Sequence, residues 1–170
     1  MQNHRQHLLA SQGWQLRITL LLLMSLFVSG CGFQLRGTLP LEQYQTIYLQ
    51  ADSHAELAVR LRDQLRRNDV TLLPQSDPKH PIIQLANDRL QRRTLSLFPN
   101  GQVAEYELIY TVSYQVTLPG KEPEYFEIEL FRDYQDDPNA ALAKARELDL
   151  MLSELRQQAV ARIIRQLGQL

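Results

Sequence analysis

From Gln102 to Leu118 the chain alternates, with Ala104, Tyr106, Leu108, Tyr110, Val112, Tyr114, Val116 and Leu118 on one parity and mostly polar residues on the other. Period two over that length predicts a long strand with one buried face. Pro119-Gly120-Lys121-Glu122-Pro123 breaks it, and Tyr125 to Arg132 resumes the alternation with Phe126, Ile128 and Leu130 against Glu127 and Glu129. On its other side the long strand is preceded by Pro99-Asn100-Gly101, where proline starts a turn and Asn-Gly supplies positive φ. Ile82 to Phe98 before it is a mixed polar and apolar segment, so the middle of the chain reads as an antiparallel meander.

Period two gives way to a helical period at both ends of this meander. Tyr44 to Gln50 is a further strand, and Ser53-His54-Ala55-Glu56 then matches a capping box. Leu57, Leu61 and Leu65 follow at four-residue spacing on an otherwise charged cylinder, and Asn68 is the expected left-handed terminator. Val70 to Leu73 is a short extended piece, and Pro74, Pro78 and Pro81 exclude a helix beyond it. At the other end Asp137 is the candidate N-cap with Pro138 at the first helical position. Ala141, Ala145, Leu148, Leu152, Leu155, Ala159, Ile163 and Leu167 then recur at spacings of three and four. Two single-striped helices can cover one face of one sheet. The expected fold is therefore an α/β two-layer sandwich, a mainly antiparallel sheet of about four strands with two helices packed on one face.

The stretch before this domain has a different grammar. A polar leader carrying Arg5 and Arg17 precedes an apolar run from Ile18 to Val28, the layout of a secretory signal. The run is short of the roughly 20 apolar residues that a spanning helix needs. It ends in Val28-Ser29-Gly30-Cys31, which resembles the bacterial lipobox. That resemblance implies diacylglycerol on the Cys31 thiol, cleavage between Gly30 and Cys31, and acylation of the new amine with a chain such as palmitate. More than one acyl chain makes the anchor durable. Gly32, in place of an aspartate, is similar to an outer-membrane address. The expected organisation is a removed signal over 1–30, a lipid-anchored tether over 31–43 and one domain over 44–170.

Charge and residue inventory narrow the function. Removing residues 1–30 takes two arginines and no acid, so the formal charge of −1 becomes −3. Such a chain has no polycationic field for nucleic acid. Cys31 is the only cysteine, so neither an intramolecular disulfide nor a thiolate zinc site is expected, and no metal or other cofactor is implied. His54 and His80 remain after processing, in a helix cap and a proline-rich loop, with no Gly-x-Ser-x-Gly elbow and no phosphate loop. Glu105 with Glu107, or Glu127 with Glu129, share strand faces as a glycosidase pair would, but solvated strand faces do the same. No catalytic residue is assigned, and the chain is not expected to be an enzyme. The alternatives are a lipid-tethered periplasmic hydrolase or a generic periplasmic binding lipoprotein.

Arg89, Arg92 and Arg93 concentrate positive charge on one predicted strand, with Arg89 and Arg93 on one face and Arg92 on the other. Two readings stand. A symmetric turn at 99–101 brings Arg93 to Glu107 as a cross-strand pair, or the guanidinium groups form a fork for phosphate.

The lipobox with Cys31-Gly32-Phe33-Gln34-Leu35-Arg36, the run Ser96-Leu97-Phe98-Pro99-Asn100-Gly101-Gln102-Val103-Ala104-Glu105-Tyr106, and Phe131-Arg132 leading to Ala141-Leu142-Ala143-Lys144 resemble the LptE family of LPS-assembly lipoproteins. The likeness covers the whole chain after Cys31. It implies a domain on the periplasmic side of the outer membrane that plugs the LptD β-barrel one-to-one, assists its assembly and helps insert lipopolysaccharide into the outer leaflet. It also implies lipopolysaccharide binding near the hairpin tip and at the start of the second helix. The corresponding positions are Phe98, Pro99, Asn100 and Gly101 at the tip and Lys144 on the helix, with Arg89, Arg92 and Arg93 as further candidates. Pro99 stands where some relatives carry a basic residue.

Overall fold

A computed structural model describes residues 44–170. The signal segment, the cleavage site, Cys31 and the tether lie outside the described residues. In chain order the elements are β1 (Thr46–Gln50), α1 (Glu56–Arg67), β2 (Thr71–Leu72), β3 (Ile82–Leu85), β4 (Arg89–Leu97), β5 (Val103–Thr117), β6 (Glu124–Gln135), a 3₁₀ turn (Pro138–Ala140) and α2 (Ala141–Leu167).

β5 is the spine. β6 pairs along one edge in unbroken register, from Glu105↔Gln135 to Val116↔Glu124. The other edge takes β3 at Tyr114–Thr117 and β4 at Val103–Thr111, end to end. β1 then pairs β3 in parallel and β2 pairs β1 in parallel. The expectation of about four mainly antiparallel strands is thus corrected to a six-stranded mixed sheet. The parallel part exists because α1 carries the chain from the end of β1 back to its starting end, the crossover that parallel neighbours require. The extra strand arises because Ile82–Phe98 is two strands. Leu85 faces Tyr114 and Arg89 faces Thr111, so one more residue lies on the β3–β4 side, a bulge around Asn87 and Asp88.

The inner face of the sheet carries Ile47, Ile83, Tyr110, Val112, Tyr114, Val116 and Ile128, packed with Leu57, Leu61 and Leu65 of α1 and Leu155, Ala159, Ile163, Ile164 and Leu167 of α2 in one core. Full burial of each large aliphatic side chain is worth about 1.5–3 kcal/mol. α2 is buried chiefly in its C-terminal half; Ala141, Leu142, Ala145 and Leu150 are exposed. Its N-terminal half is held to β6 by polar contacts, Tyr134 Oη donating to the Lys144 carbonyl at 3.1 Å and Arg132 pairing Glu154 at 2.6 Å.

Helix ends depart from expectation in two places. α1 starts at Glu56 with Ala55 as N-cap, and no side chain caps it. The capping box fails because Asp52 accepts the His54 N–H and the Glu56 carboxylate is drawn to Arg156. Asn68 has φ −101°, and the left-handed residue is Asp69 with φ 59°. Asn68 nonetheless closes the helix, donating from Nδ2 to the Gln64 carbonyl at 2.7 Å. Asp137 caps as expected, though on the 3₁₀ turn that leads into α2, accepting from the Asn139 N–H at 2.9 Å.

Candidate functional site

The β4–β5 hairpin ends in the turn that Pro99-Asn100-Gly101 predicts. Gly101 N–H donates to Phe98 O, Phe98 N–H donates to Gln102 O, and Gly101 takes φ 85°, so a tight turn is followed by a residue in the glycine-favouring region. Asn100 Oδ1 accepts from the Gln102 N–H at 3.1 Å and stiffens the tip. Two register irregularities between Thr94 and Leu97 cancel, leaving Leu97 opposite Val103.

This tip borders a cleft of about 840 Å³ whose other wall is the start of α2. Phe98, Pro99, Asn100 and Gln102 line one side; Gln135, Asp136, Asp137, Pro138, Asn139 and Lys144 line the other. A smaller depression of about 300 Å³ adjoins it, sharing Lys144 and the Asp136–Pro138 segment and adding Arg92, Tyr134 and Leu148. Of the predicted residues, the fold therefore brings Phe98, Pro99 and Asn100 to Lys144, and Arg92 to Lys144 from β4, the strand that leads into the tip.

The two cations rest on one aromatic pair. Tyr106 and Tyr134 face each other across β5 and β6 with ring centroids 6.5 Å apart. Arg92 lies 5.9 Å above the Tyr106 ring and Lys144 Nζ 4.8 Å above the Tyr134 ring. Such contacts orient a cation while leaving its outer donors free for a ligand. Lys144 Nζ also meets Glu147 Oε2 at 2.6 Å, and this hydrogen bond is the main reason its pKa is raised. Lys144 thus stays charged, but an incoming anion must compete with Glu147 and face Asp136 and Asp137.

Arg89 and Arg93 go elsewhere. Both lie on the outer face of the sheet, opposite the helices, where Arg93 Nη2 is 2.5 Å from Glu107 Oε2 in a contact that is coulombic more than a well-aligned hydrogen bond. The three arginines therefore form no single fork. The strand carboxylates are also occupied locally: Ser96 Oγ donates to Glu105 at 2.8 Å and Ser113 Oγ donates to Glu127 at 3.1 Å.

The lipopolysaccharide-assembly family model named LptE matches residues 44–167. The chain belongs to the LptE family. LPS-assembly lipoprotein LptE of Yersinia pestis (strain Pestoides F) is 36% identical over 154 residues, covering 88% of this chain and 74% of that protein. In structure, this family member is similar to the rare lipoprotein B of Shewanella oneidensis, with TM-score 0.68 and 45% identity over 73% of this chain and 94% of that one. It is also similar to lipoprotein B of Nitrosomonas europaea, with TM-score 0.67 and 26% identity over 81% and 90% of the two chains.

Sequence reading missed one feature outside the cleft lining. Arg156 of this LptE-family chain donates from Nε to Asp88 Oδ2 at 3.1 Å and pairs Glu56; Tyr110 Oη donates to the same Asp88 oxygen at 2.8 Å. Burial foremost, and then the Asp88 hydrogen bond, raise the Tyr110 pKa. The network ties both helices and the β3–β4 bulge to β5. A signal for it was present, because Leu152, Arg156, Ala159 and Ile163 are spaced as one stripe and an arginine within an apolar stripe needs a buried anion.

Proposed function

We propose that this chain is an outer-membrane lipoprotein, anchored through Cys31 after cleavage between Gly30 and Cys31, that acts in lipopolysaccharide assembly as a plug of the LptD barrel. In this reading residues 31–43 are the tether and 44–170 the working domain. The domain also binds lipopolysaccharide at the cleft between hairpin tip and α2. Family membership supports the role in assembly, and relatives over most of the chain bear the name LPS-assembly lipoprotein. The observation that carries the binding site is the convergence of Phe98, Pro99 and Asn100 with Lys144, with Arg92 beside it. Guanidinium and ammonium groups held over tyrosine rings suit the phosphates of a glycolipid, and Phe98 and Pro99 in the cleft lining offer apolar surface to its acyl chains. Arg92 takes over the role first shared among three arginines, since Arg93 is engaged by Glu107.

The test is a double substitution, Arg92→Asp with Lys144→Asp, in chain purified from outer membranes. Loss of two charge-assisted contacts of about 1.5 kcal/mol each predicts lipopolysaccharide affinity weaker by about a hundredfold. Arg93→Asp should change it by less than about threefold. One-to-one recovery with the barrel should persist in all variants. Unchanged affinity in the double variant removes the binding site, and failure of the unsubstituted chain to bring LptD with it removes the plug.

A further inference from the structure

The sheet face turned away from the helices carries an ordered polar row. Gln50 pairs with Gln84, Gln84 with Gln115 and Gln115 with Tyr125, so four adjacent strands, β1, β3, β5 and β6, present these side chains in lateral register. Parity puts them all outward, because their neighbours Leu49, Ile83, Val116 and Phe126 belong to the core or pack against it. Gln84 Nε2 donates to Gln50 Oε1 at 3.0 Å, while the Gln115 side chain has no hydrogen bond among the described residues. Tyr125 is 78% exposed, the largest exposed aromatic surface of the domain. These residues line a cleft of about 780 Å³ together with Asp52, Ser113 and Glu127.

We propose that this cleft binds an uncharged oligosaccharide. Among the described residues its lining contains no lysine, arginine or histidine and does contain two carboxylates, which disfavours phosphate, sulfate and nucleic acid. A primary amide offers a donor and an acceptor side by side, the complement of two neighbouring sugar hydroxyls. Three such amides in a row repeat that complement along a chain of rings. Tyr125 supplies a flat apolar face at the end of the row, on which the C–H face of a pyranose can stack at small entropic cost. The size lies within the range of pockets for ligands of several rings. A protein helix is a poorer occupant, because it would need apolar anchors in a buried centre, and an added strand would use the edge of β6 that pairs no strand among the described residues and not this face. The inference does not rest on the anion cleft, which lies at the opposite end of β5.

The test uses the full lipidated chain in a detergent without a sugar headgroup. Side-chain amide and tyrosine ring resonances are followed during titration with maltohexaose and, separately, with an N-acetylglucosamine tetramer. Binding in the millimolar range or tighter by at least one of them is expected, with shifts confined to Gln50, Gln84, Gln115 and Tyr125. The two arms tell a hexose glycan from an acetamido glycan, and either supports the site. Tyr125→Ala, at an exposed position, should weaken binding about tenfold. Gln115→Leu, which keeps size and removes the amide, should do likewise. No shift with either oligomer up to about 10 mM overturns the proposal. So does equal binding by Tyr125→Ala and Gln115→Leu, or shifts at this row produced by a polyanion or an extended peptide in place of the sugars.

Discussion

Asp88 holds two partners at once, and removing it should expose how much of the fold depends on the bulge between β3 and β4. Arg156 and Asp88 side chains are only 19% and 14% exposed, and Tyr110 is fully buried. In Asp88→Ala the Tyr110 hydroxyl loses its acceptor in a buried setting, a cost of about 1–3 kcal/mol, and Arg156 loses a charge-assisted bond of about 1.5–3 kcal/mol. Water reaching the partly exposed guanidinium and its remaining pair with Glu56 offset part of this, so about 3 kcal/mol is expected in total. Tyr110→Phe alone removes one hydrogen bond and leaves Asp88 paired to Arg156, for about 1 kcal/mol. In the double variant no orphaned hydroxyl remains, so the losses should fall short of their sum by about 1 kcal/mol or more. Urea unfolding followed by far-ultraviolet circular dichroism measures all four corners, provided the slope m is unchanged. Additivity within about 0.3 kcal/mol would refute the reasoning, since it would mean that hydroxyl and carboxylate do not share their stabilisation.

Two further outcomes follow from local geometry. A Cβ added at Gly101 meets nothing within 4 Å, so Gly101→Ala should cost only the backbone strain of φ 85°, about 1–2 kcal/mol, with Gly101→Asn costing less; a neutral Gly101→Ala in urea unfolding would contradict this. Burial pushes the Tyr114 hydroxyl up to about 12 from an ordinary 10.0 and raises Tyr110 further, so the folded state keeps protons that the unfolded chain releases. That contribution to stability is full below pH 10 and is lost as pH rises from 10 through 12. Phenolate absorbance should therefore rise in two phases, the second coinciding with loss of far-ultraviolet signal, and a single phase in a fold still intact would overturn it.

The central strand of the meander and the helices on either side of it were legible because their signals are local: the period-two run of β5, the stripe Leu57, Leu61, Leu65, and Asp137-Pro138 before α2. The family, too, was legible in the hairpin run Asn100-Gly101-Gln102-Val103-Ala104-Glu105-Tyr106, where turn chemistry alone would accept many other residues. Less visible was whatever depends on two distant elements meeting. The parallel pairing of β1 with β2 and β3 involves short strands, and Thr71–Leu72 has too few residues to show any period. The capping box at Ser53 satisfied its pattern and still lost, because Glu56 found a stronger partner one hundred residues away in Arg156.

The arginine cluster shows how one residue of slip reassigns a site. Extrapolating from β3, where Ile83 and Leu85 point to the core, an uninterrupted strand would turn Arg89 and Arg93 toward the helices and Arg92 outward. Counting back from the turn at 99–101 gives the opposite answer. Both extrapolations are sound in their own segment, and the bulge at Asn87 and Asp88 reconciles them by reversing parity between Leu85 and Leu90. The bulge also turns Asp88 inward, where Tyr110 and Arg156 hold it. The network that locks the helices to the sheet is therefore the same device that puts Arg92 over Tyr106 beside Lys144 and sends Arg93 to Glu107. Disturbing Asp88 should act on the cleft through the register of β4 as well as on stability, although Asp88 is not among the residues that line it.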